Sequence, residues 1–367
     1  MQIWHDELDF DFSNPEVNQY FTENSLFFDI ETTGFSPART SLYLIGCAAR
    51  KNDRIILDQF FADTKDEEKE ILHSFFSYLK NFSTIITFNG IGFDIPYLKT
   101  KCETYGMTNP FGSFDYIDIY KSASKIKFLL QLPNFKQKTI EGFLGIGRKD
   151  LCNGGELIEV YHAYTKKPSE ELLSLLKQHN YEDVLDMPNL LPLLSYNDVL
   201  SGAFSIKNIE ANQYTAYDGS VAKELILTLE NTIAIPKRVS CHYEDFHLII
   251  NTNETKLSIR LLQQELKFFF ADYKNYFYLP AEDIAIHKNL ASSVPKERKK
   301  KATAATCYTR KTAIFIPQYK ELIAPAFRLM YKDKKSYFEL SEDFIASKQM
   351  QREYVLHAFE YIRSMKK

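Results

Sequence analysis

Apolar runs of four to eight residues, broken by polar turns, dominate the first 90 positions. Residues 26–31 (Leu-Phe-Phe-Asp-Ile-Glu), 42–49 and 54–61 have the pattern of buried strands, the last two joined by the turn Lys51-Asn52-Asp53. Residues 66–80 switch to helical spacing: Ile71, Leu72, Phe75 and Leu79 share one face behind an acidic first turn. A further strand is predicted at 84–88, then the turn Asn89-Gly90-Ile91-Gly92 and a helix from about 94 to 105. Residues 117–130 and 139–144 read as short helices, with Asp115 and Asp118 at the start of the first, and 169–192 as one long helix. This order predicts an α/β layer fold with a mixed sheet flanked by helices.

Beyond about residue 195 the pattern changes. Strands are predicted at 221–230, 238–243, 246–252 and 255–262, and 304–317 and 326–340 also read as extended. A closing helix is expected over 347–365. The chain therefore reads as an N-terminal extension (1–23), an α/β domain (24–195) and a second, β-rich α+β domain (196–367), with the boundary near 195–218.

Composition narrows the class. The 367 residues are 45% hydrophobic and 25% charged, which suits folded globular domains. No run of about 18 uncharged apolar residues is present, so no membrane span is expected. The first twelve residues carry Asp6, Glu7, Asp9 and Asp11 and no Lys or Arg, which is unlike a secretory leader. The five scattered cysteines contain no C-x-x-C and read as reduced thiols, which points to the cytoplasm. The net charge of −3 hides an asymmetry: residues 1–200 hold 19 basic and 29 acidic side chains, and residues 201–367 hold 26 and 19. An acidic half joined to a basic half suits either a metal site beside a polyanion-binding surface or two domains that differ in surface charge.

Three acidic clusters in the first half belong together. On a strand, Asp29 and Glu31 share a face, and two neighbouring carboxylates are costly without a compensating cation. Asp94 opens a helix after a Gly-rich turn, where capping alone would explain an acid. His179 and Asp183 lie four apart on one helix face, which by itself is an ordinary surface pair. Jointly, these hard oxygen donors suit Mg²⁺ or Mn²⁺. Two such ions form the clamp for in-line attack on a phosphodiester. A histidine one turn from a ligand suits proton transfer from water. Glu182 and Asp186 read as solvated or supporting acids. The other histidines form no H-x-x-x-H or Cys/His cluster, and no phosphate-binding Gly-rich fingerprint or Ser nucleophile elbow is present.

Asp29-Ile-Glu31-Thr-Thr-Gly, Asn89-Gly-Ile-Gly-Phe-Asp94 and His179-Asn-Tyr-Glu-Asp183 resemble the three exonuclease motifs of the DEDD superfamily. These are DnaQ-like 3′–5′ exonucleases with a ribonuclease H-like fold. Leu42-Tyr-Leu-Ile-Gly46, Gly142-Phe-Leu-Gly-Ile146, Arg148-Lys-Asp150 and Gly154-Gly-Glu156 are similar to the YprB-like branch. The likeness covers residues 24–195. It implies two ions, Mg²⁺ or Mn²⁺, held by Asp29, Glu31, Asp94 and Asp183, with His179 where the family places its general base. The superfamily uses Tyr four residues before the last Asp or His five before it, whereas this chain has His at the four-residue spacing. Thr32, Thr33 and Asn89 adjoin the motifs and are candidates for the substrate groove or for turn hydrogen bonding.

In the second half, Arg298, Lys299, Lys300 and Lys301 follow an aromatic stretch that includes Tyr273, Tyr276, Phe277 and Tyr278. Lysines attract phosphates and aromatic faces stack on unpaired bases; the same run also reads as a solvated loop beside core aromatics. The leading expectation is a metal-dependent 3′–5′ exonuclease that binds DNA or RNA, with single-stranded 3′ ends as its partner. A catalytically weak nucleic-acid-binding protein and a structure-specific endonuclease are the alternatives.

Overall fold

The computed structural model describes residues 1–149, 154–215 and 219–365. Asp150 and Cys152 lie outside the described residues. The chain divides into two compact units, Met1–Asp198 with Ile235–Lys237, and Val199–Ala234 with Arg238–Lys367.

The first unit is built on six strands: β1 (Gln2–Asp9), β2 (Ser25–Thr32), β3 (Leu42–Lys51), β4 (Arg54–Phe61), β5 (Thr84–Thr87) and β6 (Asp115–Asp118). Their order in the sheet is β1-β4-β3-β2-β5-β6. The pairs β1/β4, β4/β3 and β3/β2 are antiparallel, and β2/β5 and β5/β6 are parallel, so the expected mixed sheet is present. Residues 2–9, expected as part of an extension, instead form β1 along the whole of β4. Their alternating exposure, with every second residue half-buried, is that of an edge strand with one face covered.

The helices of this unit are α1 (Pro15–Tyr20), α2 (Glu68–Leu79), α3 (Asp94–Tyr105), α4 (Ile119–Ser124), α5 (Lys127–Leu130), α6 (Gln137–Leu144), α7 (Gly154–Lys166) and α8 (Glu170–Asp186). The expected 117–130 helix is two short helices following a strand. Asp115 begins β6 rather than a helix, and Asp118 caps α4 by accepting from the Lys121 amide at 3.0 Å. The expected long helix ends at Asp186 and tightens into a 3₁₀ segment, Met187–Leu193, which contains Pro188 and Pro192. Proline lacks the amide that an α-helix needs to continue. A final helix, α9 (Leu194–Ser201), follows.

Alternation along β2 decides what each face of the sheet does. Phe28 and Ile30 are buried with Phe75, Leu72, Ile95 and Leu98 of α2 and α3. On the other face, Tyr43, Leu44 and Phe61 pack with Leu157, Tyr161 and Tyr164 of α7 and Leu176 of α8. Asp29 and Glu31, out of phase with Phe28 and Ile30, therefore point toward α8. The Glu68 carboxylate joins several elements at the opposite end of α3. It pairs with Lys101 at 2.8 Å, accepts from the Leu42 amide at 2.6 Å and accepts from the Tyr105 hydroxyl at 2.5 Å. Lys101 in turn donates to the Thr40 carbonyl at 2.6 Å, which pins the loop between β2 and β3.

The second unit is antiparallel throughout. Its strands are β7 (Phe204–Thr215), β8 (Val221–Asn231), β9 (Val239–Tyr243), β10 (Phe246–Ile250), β11 (Glu254–Arg260), β12 (Leu262–Phe269), β13 (Tyr276–Leu279), β14 (Ile284–His287), β15 (Lys300–Lys301), β16 (Tyr308–Gln318) and β17 (Ser336–Glu339). They form sheets of order β7-β8-β11-β10-β9, β12-β16-β17 and β14-β13-β15. The helices are α10 (Lys288–Ala291), α11 (Glu342–Ala346) and the closing α12 (Lys348–Met365). The predicted strand at 255–262 is in fact two, separated at Leu261, and of the extended 326–340 only β17 is a strand, with an isolated bridge from Phe327 to Tyr337. Along β12, exposed and half-buried positions alternate up to Leu266, so no continuous apolar run marks it.

Candidate active site

The site gathers at the end of β2. Asp29, Glu31, Asn89, Asp94, His179 and Asp183 line one cleft of about 470 Å³, together with Phe35, Phe88 and Phe93. Each side chain arrives by a different local device. Asp29 and Glu31 come from strand alternation, with a register shift in the β2/β3 pairing immediately after Glu31. Asp94 is the first residue of α3, and its Oδ1 accepts the Ile30 amide at 3.1 Å, so the helix start is tied to the strand. His179 and Asp183 are one turn apart on α8, with Nε2 of His179 3.3 Å from Asp183 Oδ2 and 3.7 Å from Glu31 Oε1. Glu31, His179 and Asp183 offer donor atoms that all lie within 4.8 Å of one another, a spacing able to hold a metal ion.

The turn that delivers Asp94 depends on its glycines. A Cβ on Gly90 would lie 2.5 Å from the Thr87 side chain, and one on Gly92 would lie 2.7 Å from Asn89 Oδ1. Asn89 itself sits in the left-handed region at φ 66°. Asp118 secures the turn from below: it is buried and accepts the amides of Asn89 and Ile91, both at 3.2 Å. Asp118, expected only at a helix start, reaches this turn through the parallel β5/β6 pairing.

Two more groups support the carboxylates. Asn180 is fully buried, donates to Asp29 Oδ2 at 3.2 Å and accepts from Gln59 at 3.0 Å. Arg148 donates to Asp183 Oδ1 at 2.5 Å and to Glu141 at 3.1 Å. Glu182, expected to be solvated or supporting, is buried, accepting from the Lys149 amide and lying 3.8 Å from Arg148 Nε. The signal for Asn180 was its place beside His179 on a face toward the sheet. For Arg148 it was the motif Arg148-Lys149 noted in the family likeness.

Thr32 and Thr33 make turn hydrogen bonds: Thr32 donates to the Gly34 carbonyl at 2.9 Å, and Thr33 accepts the Ser41 amide at 2.9 Å. The basic run lies in the second unit. Arg298 pairs with Glu282 at 2.8 Å, and Lys299 donates to the Ala291 carbonyl with Nζ 5.3 Å from the Phe277 ring centre. Lys300 and Lys301 form β15, opposite Tyr278 and Phe277.

Electrostatics mark the cleft as one where buried carboxylates crowd together. Loss of hydration raises the Asp29 carboxyl well above the ordinary range, and the neighbouring Asp94, Glu31 and Asp183 carboxylates add to it. Burial also pushes Asp94 up, to about 7, against the backbone hydrogen bonds that favour its charge. Groups this perturbed, in a cleft, are what a catalytic or metal site requires. The carboxylate oxygens that line the cleft are the donor type a hard divalent ion takes.

Residues 26–195 match the model of the RNase_H superfamily, so the first unit carries the ribonuclease H-like fold that its three motifs led us to expect. The chain is 29% identical over 177 residues to the uncharacterized protein YprB of Bacillus subtilis (strain 168). That likeness covers 47% of this chain and 42% of YprB, so the chain spans less than half the length of this relative. Among solved structures, the family B DNA polymerase of Pyrobaculum calidifontis aligns over 68% of this chain and 35% of its own, at 15% identity and TM-score 0.38. Exonuclease I of E. coli in complex with a dT13 oligonucleotide aligns over 56% and 55%, at 12% identity and TM-score 0.28. No described helix is long and apolar enough to cross a membrane.

Proposed function

We propose that the first unit is a metal-dependent nuclease, and more narrowly a 3′–5′ exonuclease that hydrolyses phosphodiester bonds of DNA or RNA using two Mg²⁺ or Mn²⁺ ions. The observation that carries this reading is the convergence of Asp29, Glu31, Asp94, Asp183 and His179 on one cleft, with Asp29 and Asp94 held above the ordinary carboxylate range. Asp29, Glu31, Asp94 and Asp183 would hold the ions, which when bound supply an activated water and stabilise the departing oxygen. The chain's own residues do the rest. His179, whose Nε2 lies 3.3 Å from Asp183 and 3.7 Å from Glu31, would serve as the proton acceptor beside those two carboxylates. Asn180 and the Ile30 amide hold Asp29 and Asp94 in place.

Phe35 supports a nucleic-acid substrate. It lines the cleft at 89% exposure, with its ring centre 5.9 Å from that of Phe93. An aromatic ring left in water beside an acidic cleft suits stacking on an unpaired base. Four described cysteines are free and buried, which fits a cytoplasmic setting.

The test is incubation of 5′-end-labelled DNA and RNA oligomers with Mn²⁺, comparing the wild type with Asp94→Asn. A ladder shortening from the 3′ end in the wild type alone is the expected result. Cutting of circular single strands would instead make it an endonuclease. Tight binding without any cleavage would leave a nucleic-acid-binding protein.

A further inference from the structure

The geometry points to Arg148 as a positioning residue that aims the Asp183 carboxylate into the cleft, an inference that rests on the metal-site reading above. Asp183 has two differently used oxygens. Oδ2 faces His179 Nε2 at 3.3 Å, and Oδ1 takes the Arg148 Nη1 donor at 2.5 Å. The guanidinium is itself held from behind. Glu141 accepts from Nη1 with both oxygens, at 3.1 and 3.2 Å, and Glu182 lies 3.8 Å from Nε. Gln137 closes the frame by donating to Glu141 at 2.9 Å and to the Asp183 carbonyl at 2.8 Å.

Burial makes this frame more than a surface ion pair. The side chains of Arg148 and Glu141 are 7% and 1% exposed, so neither charge is stable there without the other. The contacts to Asp183 and to both Glu141 oxygens all leave from Nη1, so one arm of the guanidinium fork ties the two carboxylates together. The frame also joins parts of the chain that are far apart, α6 and the segment after it to the C-terminal end of α8. Groups that orient metal ligands in this way alter metal affinity by about 10–100-fold when removed.

A positive charge beside a cation site could act in the opposite sense, by repelling the ion. The two effects separate if charge is kept constant. Arg148→Met with Glu141→Gln removes one positive and one negative charge together, so the net charge is unchanged while Asp183 and Glu182 lose the guanidinium beside them. The experiment measures Mn²⁺ affinity of the full chain by electron paramagnetic resonance, with thermal unfolding of the metal-free protein as the control for folding. The double variant is expected to unfold as the wild type does and to bind Mn²⁺ about tenfold more weakly, with Glu141→Gln alone within about twofold. Arg148→Lys, which keeps the charge but not the fork, is expected to fall between. Wild-type affinity in the folded double variant would overturn the role of Arg148 while leaving the metal site standing. No Mn²⁺ binding by the wild type would overturn both.

Discussion

Asn180 Nδ2 donates to Asp29 Oδ2 at 3.2 Å across the β2/α8 interface, and Gly46 is the reason it can. Gly46 pairs with Asp29 in the sheet, and a Cβ there would lie 2.0 Å from Asn180 Oδ1. A side chain at 46 would displace the buried Asn180 amide, and with it the hydrogen bond to Asp29. Gly46→Ala is expected to cost about 1–3 kcal/mol in stability, as overpacking does. Urea unfolding of the metal-free protein measures it; an unchanged midpoint would mean that the contact relaxes freely.

The acidic pair should govern activity more than stability. Asp29→Asn relieves the repulsion from Asp94, Glu31 and Asp183 that raises its own carboxyl. The variant is therefore expected to match or exceed the wild type in thermal stability without metal, while losing Mn²⁺-dependent cleavage. Retained cleavage would remove Asp29 from the site.

His179→Ala is expected to slow turnover by about 10²–10⁴-fold, the usual worth of a positioned base. Oligomer affinity should change little, because the ring lines the cleft between two carboxylates rather than its rim. Single-turnover rates check this, and an unaltered rate would assign the proton to another group.

Asp94 contributes to the pH dependence, together with Asp29, whose carboxyl is also raised. The Asp94 carboxyl is raised from the usual range to about 7, so the folded, metal-free protein holds a proton there that the unfolded chain releases near pH 4. Folding without metal is thus favoured below that range and loses this contribution as pH rises from about 4 through 7. Metal binding needs the proton gone, so Mn²⁺ affinity should strengthen between pH 6 and about 8 and release protons as it does so. Calorimetry in buffers of different ionisation heat reads that release, and affinity independent of pH in this window would contradict it.

Much of this arrangement was legible along the chain because the signals were local. Asp29 and Glu31 stand in an apolar strand, Asp94 follows an obligatory glycine turn, and His179 and Asp183 keep helical spacing. Strand β1 was missed because its outward residues, His5, Glu7 and Asp9 among them, make the run read as a polar tail. The supporting side chains were harder still. Asp118, Asn180 and Arg148 look like ordinary polar residues until tertiary contact brings them under Asn89, Asp29 and Asp183. Asp118 acts across parallel pairing, and Arg148 across the separation between α6 and α8. Neither relation leaves a periodic trace.

The most direct measurement is a count of Mn²⁺ bound per full-length chain at pH 8, followed by titration calorimetry. Two ions for the wild type, and a lower number once Asp94 is changed to Asn, is the expected result. A chain that binds no Mn²⁺ while remaining fully folded would contradict the account.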